Sequence, residues 1–308
     1  MPVQRPSARA TAPSASADWS ALGQDVVEHS PPQLVQAIGS RVWSEDGAEY
    51  IDFDNAGGAV LLGHRDPAVV AAVRMTRSGI DRRGPERYRA DVAEPILDMI
   101  PGAEACAFGA NVSQALRAAL DAARLTTGRE MVFVSRGAAE ATGARPAGPS
   151  FPFDDLEALE RLMQLHGGET AALVVAPCGP RPPSAGYLPA VRALADRIGA
   201  VLIFDETLSG FRVHEGGAQA LYGVTADLAV FGDNLANGMP LGALAGRRAL
   251  IDAVEQAEPL RADVASLAAA KAVLTKIRNE PVIAALRVGG AEIQAETATR
   301  LRAAGRTE

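Results

Sequence analysis

The stretch Val201-Leu202-Ile203-Phe204-Asp205-Glu206 decides the fold class of this chain. Four consecutive apolar residues predict a strand that is buried on both faces, as in the parallel sheets of α/β proteins. Two carboxylates follow directly, and open α/β sheets bind their ligands beyond the carboxyl ends of the strands. The stretch therefore predicts a sheet with Asp205 and Glu206 at the edge that holds a ligand. An isolated acidic pair also commonly caps a strand end, so the pair alone leaves the function open.

The segments around this strand alternate between helical and strand patterns. Strands are predicted at 131–135, 171–176 and 200–204, with a small strand near 47–53. Helices are predicted at 66–76, at 113–125, from Asp154 to the Gly167-Gly168 pair and at 188–198, with two Ala-rich helices after Ser266. Alternation of this kind predicts the α/β class, with a mostly parallel, doubly wound sheet and helices on both faces.

The composition is ordinary for a globular protein of 308 residues, with 48% hydrophobic and 22% charged residues. The formal net charge is −7 and basic residues do not cluster, which argues against nucleic acid or a membrane surface as a partner. No apolar run approaches the ~18 residues of a membrane span, and the amino terminus lacks the apolar core of a signal peptide. We therefore expect a cytoplasmic protein.

The chain is expected to divide into four parts. Residues 1–20 are predicted to be a disordered tail, 21–65 an N-terminal segment, 66–250 a large α/β domain and 251–308 a truncated, helical C-terminal part. Cys106 and Cys178 are too few for a disulfide framework or a structural metal site, and they are expected to be small buried side chains. No ligand spacing in the sequence predicts a metal.

Three ordered blocks resemble one known family. Asp205-Glu206-Thr207-Leu208-Ser209-Gly210-Phe211-Arg212 is followed by Gly-Gly-Ala-Gln-Ala-Leu-Tyr-Gly at 216–223 and by Gly-Met-Pro-Leu-Gly-Ala at 238–243. Together with Leu62-Gly63-His64, they resemble class III (fold type I) aminotransferases, which use pyridoxal phosphate (PLP), and most closely the glutamate-1-semialdehyde aminomutase group. The resemblance covers roughly residues 35–300 and implies the fold type I aminotransferase fold.

The resemblance implies a PLP site whose key residue is missing. Asp205 occupies the position of the aspartate that pairs with the pyridine nitrogen of PLP and maintains its electron-sink character. The position of the lysine that binds PLP covalently is occupied by Asp233. The only lysines of the chain, Lys271 and Lys276, are expected to be solvated residues of a later helix. The sequence therefore predicts a degenerate family member that does not work as a conventional transaminase.

Other positions of the implied cofactor site also differ from the family. The phosphate-binding Ser-Gly-Thr turn is matched by Asn111-Val112-Ser113, where Val obstructs the close approach that Gly permits and Asn or Ser also suits an ordinary helix cap. The ring-stacking aromatic and its following His are matched by Ala139 and Glu140. No Thr occurs at 261–264, where relatives donate one to the partner's phosphate. We expect the ancestral PLP to be lost and these residues, with Asp205, to be vestigial.

The remaining candidates surround the same cleft. Asp205, Glu206, Asp233 and His214 are the candidate acid–base residues, and at least one carboxyl group is expected to have a raised pKa if they converge. Arg212 and Asn234 are the candidate substrate-binding residues. Arg212 has a structural ion pair as its alternative role, and His64 is expected to pack or to cap a turn.

Three functions remain open. The first is a PLP-independent lyase, isomerase or cyclase of specialised biosynthesis that uses the old cofactor cleft on a small-molecule substrate. The second is a non-catalytic partner or regulator of an active aminotransferase. The third is an enzyme that binds PLP non-covalently. Because the family's sites are built between subunits, the resemblance implies a homodimer or a heterodimer with an aminotransferase-like subunit.

Overall fold

The computed structural model of the chain describes residues 32–77, 84–136, 149–179, 181–257 and 259–306. Its centre is a seven-stranded sheet with the strand order β4-β10-β9-β8-β7-β5-β6. The strands are β4 Ala105–Gly109, β5 Met131–Ser135, β6 Ser150–Phe151, β7 Thr170–Val175, β8 Val201–Asp205, β9 Leu228–Phe231 and β10 Gly242–Gly246. Neighbours from β6 to β9 are parallel, whereas β10 runs antiparallel to both β9 and β4.

Helices cover both faces of this sheet. They are α1 Pro67–Arg77, α2 Gly84–Met99, α3 Val112–Thr127, α4 Leu156–His166, α5 Tyr187–Ile198, α6 Gly217–Tyr222, α7 Arg248–Ala257, α8 Val264–Asn279 and α9 Val282–Ala303. Alternate residues of β8 point to opposite faces, as a pleated strand requires. Leu202 and Phe204 join the core with α1, α2, α4, α5 and α8, while Val201 and Ile203 join the core with α3 and α7.

A second, smaller sheet precedes the main one. It consists of β1 Leu34–Ile38, β2 Arg41–Ser44 and β3 Glu49–Ile51, all antiparallel. Most of its residues are exposed, including Leu34, Val35 and Ile51. Among the helices of the described ranges, none is long and apolar enough to cross a membrane.

The predicted elements are confirmed within one or two residues, and the sheet is mostly parallel as expected. The sequence patterns did not reveal β1, β2, β4, β6, β9, β10, α2, α6 or α7. The predicted domain boundary after residue 250 falls inside α7, and α8 packs into the main core through Leu267, Val273 and Leu274. Residues 251–279 therefore belong to the same core as the sheet. Nearly all of α9 is exposed, with only Ile283 buried.

Gly242 allows two elements to approach closely. A β-carbon on Gly242 would overlap the main-chain oxygen of Asn111, just before α3, and would lie 2.9 Å from the Ala115 β-carbon. We expect Gly242→Ala to lower the free energy of unfolding by about 3 kcal/mol, because main chain cannot move away cheaply. Gly290 in α9 has open space around it, so Gly290→Ala is the control and is expected to add about 0.5–1 kcal/mol. Urea denaturation measures both, and equal effects would contradict the packing of α3 on β10.

Candidate functional site

Asp205 lies at the carboxyl end of β8, where the sequence placed it, and is only 5% exposed. Its Oδ1 accepts hydrogen bonds from the main-chain nitrogen of Thr207 at 3.1 Å and from Thr207 Oγ1 at 2.7 Å. Its Oδ2 is buried and has no hydrogen-bond partner among the described residues. Burial raises the pKa of Asp205 to about 6, although the two bonds from Thr207 oppose that shift.

Glu206 is completely buried and holds the loop that follows β8. Its Oε2 accepts from the Ser209 hydroxyl at 3.0 Å and from the main-chain nitrogen of Ala218 at 2.6 Å, and its Oε1 accepts from that of Gln219 at 3.3 Å. Burial raises the pKa of Glu206 to about 7, against the lowering effect of these bonds. Because both oxygens are engaged, Glu206 is placed to position the loop rather than to meet a ligand.

The turn after β9 carries Asp233 and Asn234 to the same edge of the sheet. Asp233 is half-buried, and its Oδ1 accepts a hydrogen bond from the main-chain nitrogen of Leu241 at 3.1 Å. Asn234 is 1% exposed and donates from Nδ2 to the Gly210 carbonyl at 2.6 Å, which ties this turn to the loop after β8. Its Oδ1 is buried without a partner in the described part of the chain.

The amino terminus of α3 lies beside these two loops, and its main-chain N–H groups are capped by side chains of its own first turn. Asn111 Oδ1 accepts from the main-chain nitrogen of Gln114 at 2.9 Å, and Gln114 Oε1 accepts from that of Ala110 at 2.8 Å. The expected cap role of Asn111 is confirmed. Val112 begins the helix, and its Cγ2 lies 3.1 Å from the point that a β-carbon on Gly232 would occupy. The Val112 side chain therefore fills space between α3 and the turn that carries Asp233. Ser113 follows it on the exposed side of the helix.

Arg212 lies on the loop after β8 and contacts a turn from the N-terminal segment. Its Nη2 donates to the main-chain oxygen of Gly58, and burial lowers its pKa. The alternative role as a structural ion pair is not found, since Arg212 makes no salt bridge with any described residue. His214 is exposed, and its Nδ1 accepts from the main-chain nitrogen of Gly216 at 3.0 Å.

The predicted convergence of acidic groups is only partly found. Asp205, Asp233 and Asn234 reach one edge of the sheet, whereas Glu206 faces its own loop and His214 forms no ion pair with them in the described structure. The pKa values of Asp205 and Glu206 are raised, as expected, but the cause is burial rather than repulsion between carboxylates. Ala139 and Glu140 lie outside the described residues.

Both lysines of the chain form ion pairs with aspartates other than Asp233. Lys271 Nζ lies 2.7 Å from Asp91 Oδ2, and Lys276 Nζ lies 2.7 Å from Oδ2 of the buried Asp66. The expectation of solvated helix lysines is therefore wrong for Lys276. The two line a separate cavity of about 470 Å³ between α1, α2 and α8.

The described residues fit PLP at one point and fail at two others. The unpartnered Oδ2 of Asp205 suits the N–H of a pyridinium ring. Position 233 offers a carboxylate instead of an amine, and the side chains of Asn111 and Gln114 take up main-chain N–H groups around the amino terminus of α3. No group of three or more His, Cys, Asp or Glu side chains suited to a metal occurs within the described ranges.

Sequence reasoning missed three residues of this site. Thr207 fixes Asp205, and its position two residues after the carboxylate was the available signal. Asn237 bonds through Oδ1 to the main-chain nitrogen of Leu62 at 2.7 Å and through Nδ2 to the Gly63 carbonyl at 3.0 Å. The main-chain oxygen of Gly58 accepts a hydrogen bond from the Arg212 guanidinium. The last two contacts span more than 150 residues, and no local pattern reports them.

Comparison with known proteins agrees with this architecture. Residues 149–305 match the family described as aminotransferase class-III. The chain is 33% identical over 261 residues to glutamate-1-semialdehyde 2,1-aminomutase of Desulforamulus reducens and 34% identical over 261 residues to that of Chloroflexus aggregans. Each match covers 75% of this chain and 60% of the relative, so the chain spans about 60% of the length of these relatives.

Solved structures give the same result. The FumI protein of Sphingopyxis sp. MTA144, solved in a PLP form, matches with a TM-score of 0.79 and 26% identity over 88% of this chain and 71% of its own. A β-phenylalanine aminotransferase from Variovorax paradoxus matches with a TM-score of 0.76 and 27% identity over 86% of this chain and 67% of its own. With its fold type I architecture and its strand-end aspartate, this chain belongs to the class III aminotransferase family.

Proposed function

We propose that this chain works without PLP and uses the old cofactor cleft for acid–base chemistry on a small substrate. The observation that carries the proposal is Asp205, a buried carboxyl group with one oxygen free of partners and with a pKa of about 6. A group whose pKa lies near neutrality can both accept and return a proton. Position 233 supports the proposal because its side chain offers no amine.

The chemistry that suits this group is proton transfer without redox change. In an isomerisation, Asp205 in its carboxylate form takes a proton from one atom of the substrate and returns it to another. In an elimination, it takes the proton while the leaving group departs with the bonding electron pair. A cyclisation likewise needs only proton transfer at the bond-forming atoms. Thr207 holds Asp205 Oδ1, so Oδ2 is the oxygen that exchanges the proton.

A specific observation favours each of the two alternatives. Exposed apolar side chains on the small sheet and just after it, including Val35, Ile51 and Phe53, suit a partner or regulator that binds another subunit. The free Oδ2 of Asp205 suits an enzyme that holds PLP without a covalent bond. The following experiment separates the PLP-binding alternative from the other two functions.

We expect no covalent PLP adduct on the wild-type protein. The test is incubation with excess PLP, desalting, an absorption spectrum, borohydride reduction and intact mass, with a glutamate-1-semialdehyde aminomutase as the positive control. Peptide mapping and the K271R/K276R variant identify adducts on the two paired lysines, which are unrelated to the cleft. An adduct that survives in K271R/K276R, or PLP colour retained after desalting, would overturn the proposal. Retained colour without an adduct would support non-covalent binding.

A further inference from the structure

The cavity of about 470 Å³ between α1, α2 and α8 lies outside the candidate site, since none of its lining residues belongs to the sheet edge that carries Asp205. Helices α1 and α2 each pack extensively on α8 but scarcely touch each other, so a gap remains between them above α8. Packed interiors leave few voids larger than a water molecule. Small-molecule sites usually have volumes of about 300–1,000 Å³, and this cavity falls within that range.

Small side chains keep the floor of the cavity open. Ala68 and Ala72 lie one turn apart on α1, and Ala268 and Ala272 lie one turn apart on α8. Residues four apart lie on the same face of a helix, so the two helices together present a shallow apolar surface. We call these four residues the alanine floor. A surface without protruding side chains suits a flat molecule.

Two larger side chains form the walls of the cavity. Tyr88 of α2 is partly buried against the main core, which restricts the position of its ring. Met75, near the end of α1, is 70% exposed. A methionine side chain adapts its shape to a neighbour, and its sulfur makes favourable contacts with aromatic rings. A ring system bound between these walls would also remove the Met75 side chain from water, which is a favourable hydrophobic contribution.

The charged residues in and behind the rim of the cavity neutralise one another. Three cations pair with three carboxylates, namely Arg87, Lys271 and Lys276 with Asp66, Asp91 and Glu280. The closest contacts are 2.7 Å, between Lys271 and Asp91 and between Lys276 and Asp66. A charged ligand would have to break one of these pairs or enter without a counter-charge, and both are costly. The rim therefore favours an uncharged ligand.

Asn279, at the end of α8, offers a polar contact beside these ion pairs. Its exposed side chain lines the cavity and makes no hydrogen bond within the described structure. An amide side chain both donates and accepts hydrogen bonds. A hydroxyl or carbonyl group on the ligand can therefore bond to it.

We propose that this cavity binds an uncharged, flat compound of about two fused rings that carries one hydroxyl or carbonyl group. The rings lie on the alanine floor between Met75 and Tyr88, and the polar group bonds to the Asn279 amide. This inference goes beyond the proposed function and does not depend on it, because the cavity and the sheet edge of Asp205 share no residue.

The test is calorimetric titration of the intact protein at pH 7 with 2-naphthol, 2-naphthoate and 2-naphthylmethylamine, which share one ring system and differ in charge. We expect 2-naphthol to bind with a Kd of about 0.1 mM or tighter and the two charged probes to bind at least tenfold more weakly. Ala72→Leu and Ala272→Leu place larger side chains on the alanine floor, and each is expected to weaken 2-naphthol binding at least tenfold. Ala291→Leu makes the same change at an exposed position of α9 and is expected to stay within twofold.

A rim variant keeps the inference testable if the floor variants do not fold. Asp91→Asn leaves Lys271 and Arg87 without their carboxylate, so we expect 2-naphthoate binding to tighten at least fivefold and 2-naphthol binding to stay within twofold. No saturable binding of 2-naphthol, binding that both floor variants leave unchanged, or equal binding of the three probes would each overturn the inference. Asp205→Asn is expected to leave 2-naphthol binding within twofold, and a tenfold loss in that variant would place the binding at the candidate site instead.

Discussion

Replacing Asp233 with lysine is expected to give a protein that takes up one PLP per chain, whereas we expect the wild-type chain to form no covalent adduct. The substitution supplies an amine and removes a carboxylate at the sheet edge that carries the unpartnered Oδ2 of Asp205. At ~7 Å and an effective dielectric of ~20, each removed repulsion between Asp233 and a phosphate charge contributes about 2 kcal/mol. The hydrogen bond from the Leu241 main chain to Asp233 is lost, so D233K is expected to be somewhat less stable.

The measurement is intact mass after borohydride reduction, with peptide mapping to position 233. D233N is the matched control, since it removes the charge without adding an amine and is expected to give no adduct. Adding Val112→Gly to D233K opens the space between α3 and Gly232 and is expected to tighten PLP binding at least tenfold. If neither D233K nor V112G/D233K forms an adduct, position 233 does not correspond to the lysine of the family.

Local sequence patterns were sufficient for most of the helices and for the parallel strands β5, β7 and β8. The cap at Asp155 and the apolar positions Leu159 and Met163 predict α4. The apolar runs in β7 and β8 predict strands, because both faces of those strands are buried. Strand direction is not encoded in this way. β10 is fully buried like β8, yet it runs antiparallel to both of its neighbours. Its direction depends on how the chain returns to the sheet, which periodicity does not report.

Some features of the site could likewise be predicted from local sequence and others could not. Asp205 was predictable, because an acidic residue after a buried strand lies at the ligand edge of a sheet. The different roles of Asp205 and Glu206 could not be predicted from the sequence. The main-chain donors that hold Glu206 come from residues 218 and 219, which lie beyond a loop. The unpaired state of Arg212 and the left-handed φ of Phe211 depend on residues distant in sequence or on backbone geometry. Long-range contacts, rather than residue types, therefore decide which candidate faces the cleft.

The stability of this protein is expected to depend on pH through Asp205, in a direction opposite to ordinary acid denaturation. Burial raises the folded-state pKa of Asp205 from 3.8 to about 6, so the folded protein favours the protonated carboxyl group. The resulting stabilisation is fully present below the unfolded value of 3.8 and is lost as the pH rises through about 6. A shift of this size corresponds to about 3 kcal/mol. Glu206, with its pKa raised to about 7, adds to the same trend.

Asp205→Asn isolates this contribution, because the amide resembles the protonated carboxyl group and does not titrate. We expect the difference in free energy of unfolding between D205N and wild type to grow by about 2.4 kcal/mol, in favour of D205N, between pH 4 and pH 8. Urea denaturation at both pH values measures it, and D98N, which changes an exposed carboxylate, is expected to show no such growth. A difference that stays constant with pH would mean that Asp205 titrates normally. The carboxylate would then be a weaker base at neutral pH, and the match between its pKa and the working pH on which the proposed acid–base role rests would be lost.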